Sequence, residues 1–171
     1  MKKILLCGYM GSGKTTIAQL LSVATQIPYL DLDEVIEKET GKTIAQLFDQ
    51  DGEIKFRKLE HATLKGLLDV PDAFILGLGG GTPCYANNHL LLQHDDVISI
   101  YLKAGVEALI RRIRAHDKER PLVDGLEGQE LLDFVGPHLF ERSYYYNHAK
   151  HVVSTDDKTP EMIVNEIVSL L

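Results

Sequence analysis

The sequence predicts an α/β fold of three layers, with a central five-stranded parallel sheet between helices. The first observation is that short apolar runs alternate with longer segments of helical periodicity, which is typical of βαβ units. The second is that 171 residues, 44% of them hydrophobic and 25% charged, have the size and composition of one globular domain. The third is that no repeat, low-complexity tract or linker divides the chain. We therefore expect a single domain over residues 1–171.

Five short apolar runs are the candidate strands. They are Lys3–Cys7, Tyr29–Asp31, Phe74–Leu78, Val97–Leu102 and His151–Ser154. Segments with a different pattern lie between them, so the strands are expected to pair in parallel.

Amphipathic segments between these runs predict helices. Apolar residues recur at intervals of three and four residues over Ile17–Ala24 and over Val106–Ile113. Further helices are predicted over Glu53–Asp69, roughly over residues 131–150, and over Thr159–Leu171. Thr159-Pro160 suits the start of the last helix, because proline is well tolerated at the first helical position.

Composition limits the possible partners and the compartment. The net charge of −7 argues against nucleic acid as a partner, although six arginines could gather in one cleft and bind a small anion. No apolar segment has the length of a membrane span, so no membrane association is expected. Cys7 and Cys84 form no disulfide framework, which favours a reducing, cytoplasmic compartment, and Cys7 is expected to be buried. No heptad or extra apolar stripe is evident, so we expect a monomer.

The segment Gly8–Thr15 fits the phosphate-binding pattern G-x-x-x-x-G-K-[ST]. Glycines allow several main-chain N–H groups to converge on a polyphosphate, and the helix that follows adds its positive dipole end. Lys14 can reach the β- and γ-phosphates, and the hydroxyl of Thr15 can bind Mg²⁺. The residues expected to bind ATP here are Gly11, Ser12, Gly13, Lys14, Thr15 and Thr16. A glycine turn that fits by chance is the alternative, but the position after a strand and before a helix favours nucleotide binding.

Other motifs narrow the class of P-loop protein. A GTPase would need an N-K-x-D guanine reader, which the sequence lacks. Asp49–Gly52 fits D-x-x-G but lies between helical patterns, so chance explains it better. The candidate strand Phe74–Leu78 runs into Gly79-Gly80-Gly81 instead of ending in an acidic residue. An acidic strand end occurs earlier, at Asp31 and Asp33.

The sequence resembles the shikimate kinase family in five motifs, in the family's order and over nearly the whole chain. They are Gly8–Thr15, Asp31-Leu32-Asp33, Phe56-Arg57 with Glu60, Gly79-Gly80-Gly81 and Arg120-Pro121-Leu122. A sixth motif around Arg142 and Tyr146 is looser, because Tyr144, Tyr145 and His148 depart from the usual family residues. The resemblance implies a P-loop kinase fold with a mobile lid. It also implies transfer of the γ-phosphoryl group of ATP to the 3-hydroxyl of shikimate, a step toward chorismate and the aromatic amino acids.

The resemblance also implies roles in the acceptor site. Asp31 would help to hold the Mg²⁺ water shell, and Asp33 would bind the acceptor hydroxyl and take its proton. Arg57 and Arg142 would bind the carboxylate of shikimate, for which a guanidinium is well shaped. Glu60 lies three residues after Arg57 and is close enough to orient it. Gly79, Gly80 and Gly81 would let main-chain N–H groups approach the substrate.

Structural alternatives exist for these residues. Asp33 could serve only as the cap of the following helix. Either arginine could lie on a solvated helix face, and the three glycines could form an ordinary turn.

The remaining expectations concern the lid and the nucleotide base. The charged stretch Ala115–Gly128 has little periodicity and is the candidate lid, approximately residues 112–128, whose closure would exclude water. By resemblance, Arg120 would stabilise charge on the transferring phosphoryl group together with Lys14. Arg112 would stack on adenine, with Lys158 and Pro160 near the opposite wall. Arg111 and Arg114 are then expected to be surface charges.

Two other functions are consistent with parts of this pattern. Another small-acid kinase, such as a gluconate kinase, would share the P-loop and the helical lid but lack the Phe-Arg and triple-glycine motifs. A non-catalytic nucleotide-binding protein would not need Lys14, Thr15, Asp33 and Arg120 together. We therefore expect ATP and shikimate as small-molecule substrates.

Overall fold

The computed structural model describes residues 3–115 and 121–171. Within these ranges, five strands form one parallel sheet in the order β2-β3-β1-β4-β5. The strands are β1 (Lys3–Cys7), β2 (Tyr29–Asp31), β3 (Ile75–Gly77), β4 (Val97–Lys103) and β5 (His151–Ser154). The predicted α/β fold with a five-stranded parallel sheet is confirmed.

Seven α-helices and two short 3₁₀-helices accompany the sheet in the described part of the chain. The α-helices are α1 (Lys14–Thr25), α2 (Leu32–Thr40), α3 (Ile44–Asp69), α4 (Asn88–Leu91), α5 (Val106–Ala115), α6 (Gly128–Tyr146) and α7 (Pro160–Val168). The 3₁₀-helices are Thr82–Cys84 and Pro121–Val123. Of the helices described, none has both the length and the apolar character needed to cross a membrane.

Several predicted boundaries were wrong by a few residues. The third strand is shorter than predicted, because only Ile75–Gly77 pairs with its neighbours. The helix predicted from Glu53 is the second part of α3, which begins at Ile44 behind a capping box made by Thr43 and Gln46. The helix predicted over residues 131–150 runs instead from Gly128 to Tyr146.

The predictions for the last helix and for the lid were also partly wrong. Helix α7 ends at Val168, short of the predicted Leu171, but it begins at Pro160 with Thr159 as its cap, as expected. Residues 112–115 of the predicted lid belong to α5.

The core lies on both faces of the sheet. On β1, Leu5 and Cys7 pack into one hydrophobic cluster, while Ile4 and Leu6 pack into a second. This alternation follows from the period of two along a strand, and a central parallel strand is buried on both faces. Cys7 is fully buried, as the sequence predicted.

The carboxyl ends of the strands position the site. The phosphate loop follows β1, Asp31 ends β2, and the three consecutive glycines come shortly after β3. Because the strands are parallel and adjacent, these three segments meet at one edge of the sheet, where ligands bind in open α/β folds.

Candidate active site

The phosphate loop connects β1 directly to α1. Gly13 is the N-terminal cap of α1 with φ 92°, in the left-handed region, and within the described residues no side chain caps this helix. The first N–H groups of α1 and its positive dipole end therefore point into the loop, ready for an anion. Thr15 and Thr16 lie exposed in the first turn.

Two polar side chains of the loop fit a phosphate ligand. The Nζ atom of Lys14 donates to the main-chain oxygens of Gly8 at 2.7 Å and Tyr9 at 3.0 Å, which holds the ammonium group over the loop. The buried hydroxyl of Ser12 has no hydrogen-bond partner among the described residues. Buried polar groups are normally paired, so this hydroxyl suits an incoming phosphate oxygen.

Asp31 caps helix α2. Its Oδ1 atom accepts from the main-chain N–H groups of Asp33 at 2.9 Å and Glu34 at 3.5 Å, and its Oδ2 atom accepts from the hydroxyl of Tyr29 at 3.2 Å. The alternative in which Asp33 is the helix cap is wrong, because Asp33 lies inside the first turn and Asp31 occupies the capping position. The carboxylate of Asp33 is thus left for another task.

Burial raises the pKa of Asp33 from 3.8 to about 6. The negative charges of Asp31, Glu60 and Glu37 add to this increase, while the positive charge of Arg57 opposes it. A carboxylate with a pKa near 6 remains ionised at neutral pH and is a stronger base than an ordinary aspartate. The position suits a group that accepts a proton.

The three consecutive glycines lie against three predicted substrate residues. A Cβ atom added to Gly79 would lie 3.5 Å from Oδ1 of Asp33, and one added to Gly80 would lie 3.5 Å from Nη1 of Arg142. At Gly81 a Cβ atom would lie only 2.9 Å from Nη2 of Arg57, closer than real Cβ atoms approach. At Gly79 and Gly80 these are ordinary van der Waals distances, whereas a side chain at Gly81 would force the guanidinium of Arg57 to shift.

Arg57 projects from α3 and is held by Glu60. Its Nη1 atom donates to Oε2 of Glu60 at 2.9 Å, and Glu60 is only 1% exposed. The prediction that Glu60 orients Arg57 is confirmed. Aromatic rings surround the guanidinium carbon, whose distances to the ring centroids are 4.0 Å for Tyr85, 5.2 Å for Phe56 and 5.7 Å for Phe48.

Arg142 reaches the same pocket from α6. It is 9% exposed, and its guanidinium carbon lies 6.0 Å from the ring centroid of Tyr9 in the phosphate loop. One turn later on α6, the hydroxyl of Tyr146 donates to the main-chain oxygen of Gly80 at 2.5 Å. The Tyr9 hydroxyl also forms a 2.8 Å hydrogen bond with Nδ1 of His138. Helix α6 is thereby tied to both the glycines and the phosphate loop.

The residues predicted near adenine lie on the other side of the phosphate loop. Arg112 donates to the hydroxyl and the main-chain oxygen of Thr155, each at 2.9 Å, and to the main-chain oxygen of Gly11 at 3.5 Å. Lys158 forms an ion pair with Glu166 at 2.5 Å. Pro160 opens α7 and is exposed.

Arg111 and Arg114 are exposed on α5, as expected of surface charges. The predicted lid arginine, Arg120, lies outside the described residues.

Several residues of this site carry no signal in the sequence. Tyr85 follows no motif, and its contact with Arg57 joins positions far apart in the chain. Thr82, which donates to Glu60 at 2.6 Å, belongs to no motif and simply follows the glycines. Tyr29 carried no signal beyond its place in a strand. Side-chain contacts between distant segments leave no periodic pattern, so only the structure reveals them.

The phosphate loop lies beside a pocket that contains a carboxylate of raised pKa and two arginines with little exposure. This combination is typical of P-loop small-molecule kinases. Comparison with known proteins identifies the family within this class. A family model described as shikimate kinase matches residues 10–171. The shikimate kinase of Flavobacterium johnsoniae is 53% identical over 171 residues, which cover 100% of this chain and 99% of that protein.

Solved structures agree with this match. The crystal structure of shikimate kinase from Bacteroides thetaiotaomicron superimposes with a TM-score of 0.90 at 31% identity, over 99% of this chain and 97% of that one. The shikimate kinase from Acinetobacter baumannii in complex with shikimate gives a TM-score of 0.85 at 31% identity, over 99% of this chain and 92% of that one. The chain belongs to the shikimate kinase family.

Proposed function

We propose that this protein transfers the γ-phosphoryl group of ATP to the 3-hydroxyl of shikimate, giving shikimate 3-phosphate and ADP. The observation that carries the proposal is the contact of the three glycines with Asp33, Arg142 and Arg57 beside the phosphate loop. An acidic acceptor needs fixed cations, and a hydroxyl nucleophile needs a nearby base; this pocket supplies both.

In the proposed reaction, Arg57 and Arg142 bind the carboxylate of shikimate and fix the ring in the pocket. The carboxylate of Asp33 accepts the proton of the 3-hydroxyl as that oxygen bonds to the γ-phosphorus. The bond from phosphorus to the bridging oxygen of ADP breaks, and that oxygen keeps the electron pair. Lys14 and the N–H groups at the start of α1 stabilise the negative charge on the phosphates throughout.

We also propose Mg²⁺ as the metal that accompanies ATP. The side chains of Thr15 and Asp31 would hold it, and the hydroxyl of Tyr29 donates to Oδ2 of Asp31 at 3.2 Å. Hard oxygen donors of this type fit Mg²⁺, which in nucleotide sites is bound by few side chains and mostly by phosphate oxygens and water. The absence of a larger acidic or histidine cluster from the described residues is compatible with such a sparse site. When bound, the metal would neutralise charge on the β- and γ-phosphates.

The nucleotide base is proposed to lie between Arg112 and the loop that contains Lys158 and Pro160. The support is that Arg112 bonds both to Thr155, just before this loop, and to Gly11 of the phosphate loop. A base held there would extend away from the acceptor pocket, so the two substrates would meet at the γ-phosphate.

The decisive experiment measures ADP release by the purified protein with ATP and Mg²⁺, in separate reactions with shikimate, with gluconate and without an acceptor. We expect rapid ADP release only with shikimate, because its carboxylate and hydroxyl match the arginines and Asp33. ADP release with gluconate alone would identify a different small-acid kinase. Tight ATP binding without turnover on either acid would identify a non-catalytic nucleotide-binding protein.

A further inference from the structure

The four residues that follow the three glycines, Thr82–Tyr85, contact the Arg57 assembly from two directions. We call these four residues the post-glycine turn. They form a 3₁₀-helix over Thr82–Cys84 and then an extended residue at Tyr85. No motif in the sequence assigns them a role, yet they lie between the glycines and α4 at the edge of the acceptor pocket.

Thr82 acts on Arg57 through Glu60. Its hydroxyl donates to Oε1 of Glu60 at 2.6 Å, while Oε2 of the same carboxylate accepts from Arg57 at 2.9 Å. Thr82 is fully buried, so this hydrogen bond is shielded from water. Each carboxylate oxygen therefore has its own partner, and the plane of the carboxylate is fixed.

Two further residues hold Thr82 in place. The side-chain amide of Asn88 donates to the main-chain oxygen of Thr82 at 2.9 Å, and Asn88 is 1% exposed. The Oδ1 atom of Asn88 lies 2.6 Å from Nδ1 of His61, on the same helix as Arg57. The turn is thus linked to α3 directly, by the bond from Thr82 to Glu60, and indirectly, through Asn88 and His61.

Tyr85 acts on Arg57 through its ring. The guanidinium carbon lies 4.0 Å from the Tyr85 ring centroid, the shortest of its distances to the three surrounding rings given above. A guanidinium over an aromatic face at this distance is held by electrostatic attraction as well as by packing.

The other contacts of Arg57 are weak. Its Nε atom makes no hydrogen bond within the described residues and lies 3.6 Å from Oε1 of Glu53, a side chain that is 54% exposed. An exposed ion pair of this length contributes little. The orientation of Arg57 therefore depends on Glu60 and on the three surrounding rings, of which the Tyr85 ring is the nearest.

We propose that the post-glycine turn is the positioning element for Arg57, with Thr82 fixing the guanidinium through Glu60 and Tyr85 stacking on its face. This inference rests on the proposed function, since it assigns to the turn the alignment of the arginine that binds the carboxylate of shikimate. Neither residue is required to take part in the chemical step.

The test compares paired variants at both positions by steady-state kinetics. Tyr85→Leu removes the aromatic face, while Tyr85→Phe keeps it; Thr82→Val removes the hydroxyl, while Thr82→Ser keeps it. We expect the KM for shikimate to rise about 3- to 30-fold in Tyr85→Leu and Thr82→Val, with kcat and the KM for ATP nearly unchanged. Tyr85→Phe and Thr82→Ser should stay within about twofold of the parent protein, because each keeps the interaction.

A control and a double variant separate positioning from other effects. Phe140 is 80% exposed on α6, so Phe140→Leu removes an exposed ring elsewhere and should leave all constants unchanged. In an Arg57→Ala background, Tyr85→Leu should cause no further rise in the KM for shikimate, because the residue it positions is gone. A full additional rise would mean that Tyr85 contacts the substrate itself and would overturn the proposal.

The other possible results also support or overturn the proposal. Equal KM values for Tyr85→Leu, Tyr85→Phe and the parent protein would overturn the role of the ring, and a loss of kcat without a change in KM would overturn the positioning role altogether. A parent protein that does not phosphorylate shikimate refutes the proposed function instead. In that case the coupling between Tyr85 and Arg57 is measured on the acceptor that does react, and its absence there would refute the positioning role separately.

Discussion

Burial and the negative charges of three neighbouring acidic side chains raise the pKa of Asp33 to about 6, against the opposing positive charge of Arg57. The sequence could identify this aspartate by its place after a strand and by the Asp-Leu-Asp motif. It could not give the raised pKa, because Glu60 reaches Asp33 only through the packing of α2 against α3. It also left open whether Asp33 caps the following helix, and the hydrogen bonds of Asp31 show that Asp31 is the cap.

A raised pKa has a cost in stability that can be measured. The folded protein binds a proton at Asp33 more tightly than the unfolded chain does, so ionisation of this group lowers the free energy of unfolding as the pH rises from about 4 through about 6. We therefore expect Asp33→Asn to be more stable than the parent protein at pH 8, by on the order of 1–2 kcal/mol. At pH 5 the gain in stability should be smaller. The same change should lower kcat by about 10²- to 10⁴-fold while ATP affinity is kept. Urea unfolding at the two pH values and steady-state kinetics give the three quantities.

Asp49→Asn is the matched control, because Asp49 is an exposed aspartate. It should change neither stability nor kcat. A stability gain for Asp33→Asn that did not depend on pH would contradict the charge argument, and full activity of this variant would remove Asp33 from the reaction.

At the scale of the elements, α3 differs most from its prediction. Apolar periodicity marked only the part from Glu53, because Gly52 interrupts the helix with φ 80° and ψ 164°. The kink brings the rings of Phe48 and Phe56 to a centroid distance of 4.4 Å, and both rings lie beside Arg57. The Asp49–Gly52 segment that resembles D-x-x-G is therefore part of a bent helix.

Because of the kink, we expect alanine substitutions at two glycines of α3 to change the free energy of unfolding in opposite directions. Gly52 has a backbone conformation that is nearly exclusive to glycine, whereas Gly66 is exposed and lies in a regular part of α3, and a Cβ atom at either would meet nothing within 4 Å among the described residues. Gly52→Ala should lower the free energy of unfolding by about 1–3 kcal/mol through backbone strain. Gly66→Ala should raise it by about 0.5–1 kcal/mol, because alanine is the better helix former. Chemical denaturation of both variants checks the pair, and equal effects at the two positions would rule out the kink.

The strands could be predicted more closely than the helices. β1, β2 and β5 were predicted with their observed ends, because each is a short apolar run with a clear change of pattern at its borders. Helix α4 was not predicted, since it has only four residues and lies in a segment without a repeating pattern. After β3, local main-chain bonds such as the one from Cys84 N–H to the oxygen of Gly81 form a 3₁₀-helix, which no pattern in the sequence indicates.

At the scale of the whole molecule, parallel pairing collects the site at one edge of the sheet. The order β2-β3-β1 places Asp31, the glycines and the phosphate loop side by side. Helices α3 and α6 bring Arg57 and Arg142 to the same place from distant parts of the sequence. The motifs therefore indicated which segments would meet, because the carboxyl ends of parallel strands share an edge. They did not indicate that each glycine would face a different residue of the proposed acceptor site, since that depends on how α3 and α6 pack over the loop.

In the proposed function, the arginines that lie against the glycines bind the carboxylate of the acceptor. The most direct test compares kcat/KM for shikimate and for its methyl ester, with the parent protein and with Arg57→Ala. Loss of a charged partner in a buried site costs roughly 2–5 kcal/mol, so the parent protein should prefer the acid by about 30-fold or more. The preference should shrink severalfold in Arg57→Ala. A parent protein that phosphorylates the ester as efficiently as the acid would contradict the account.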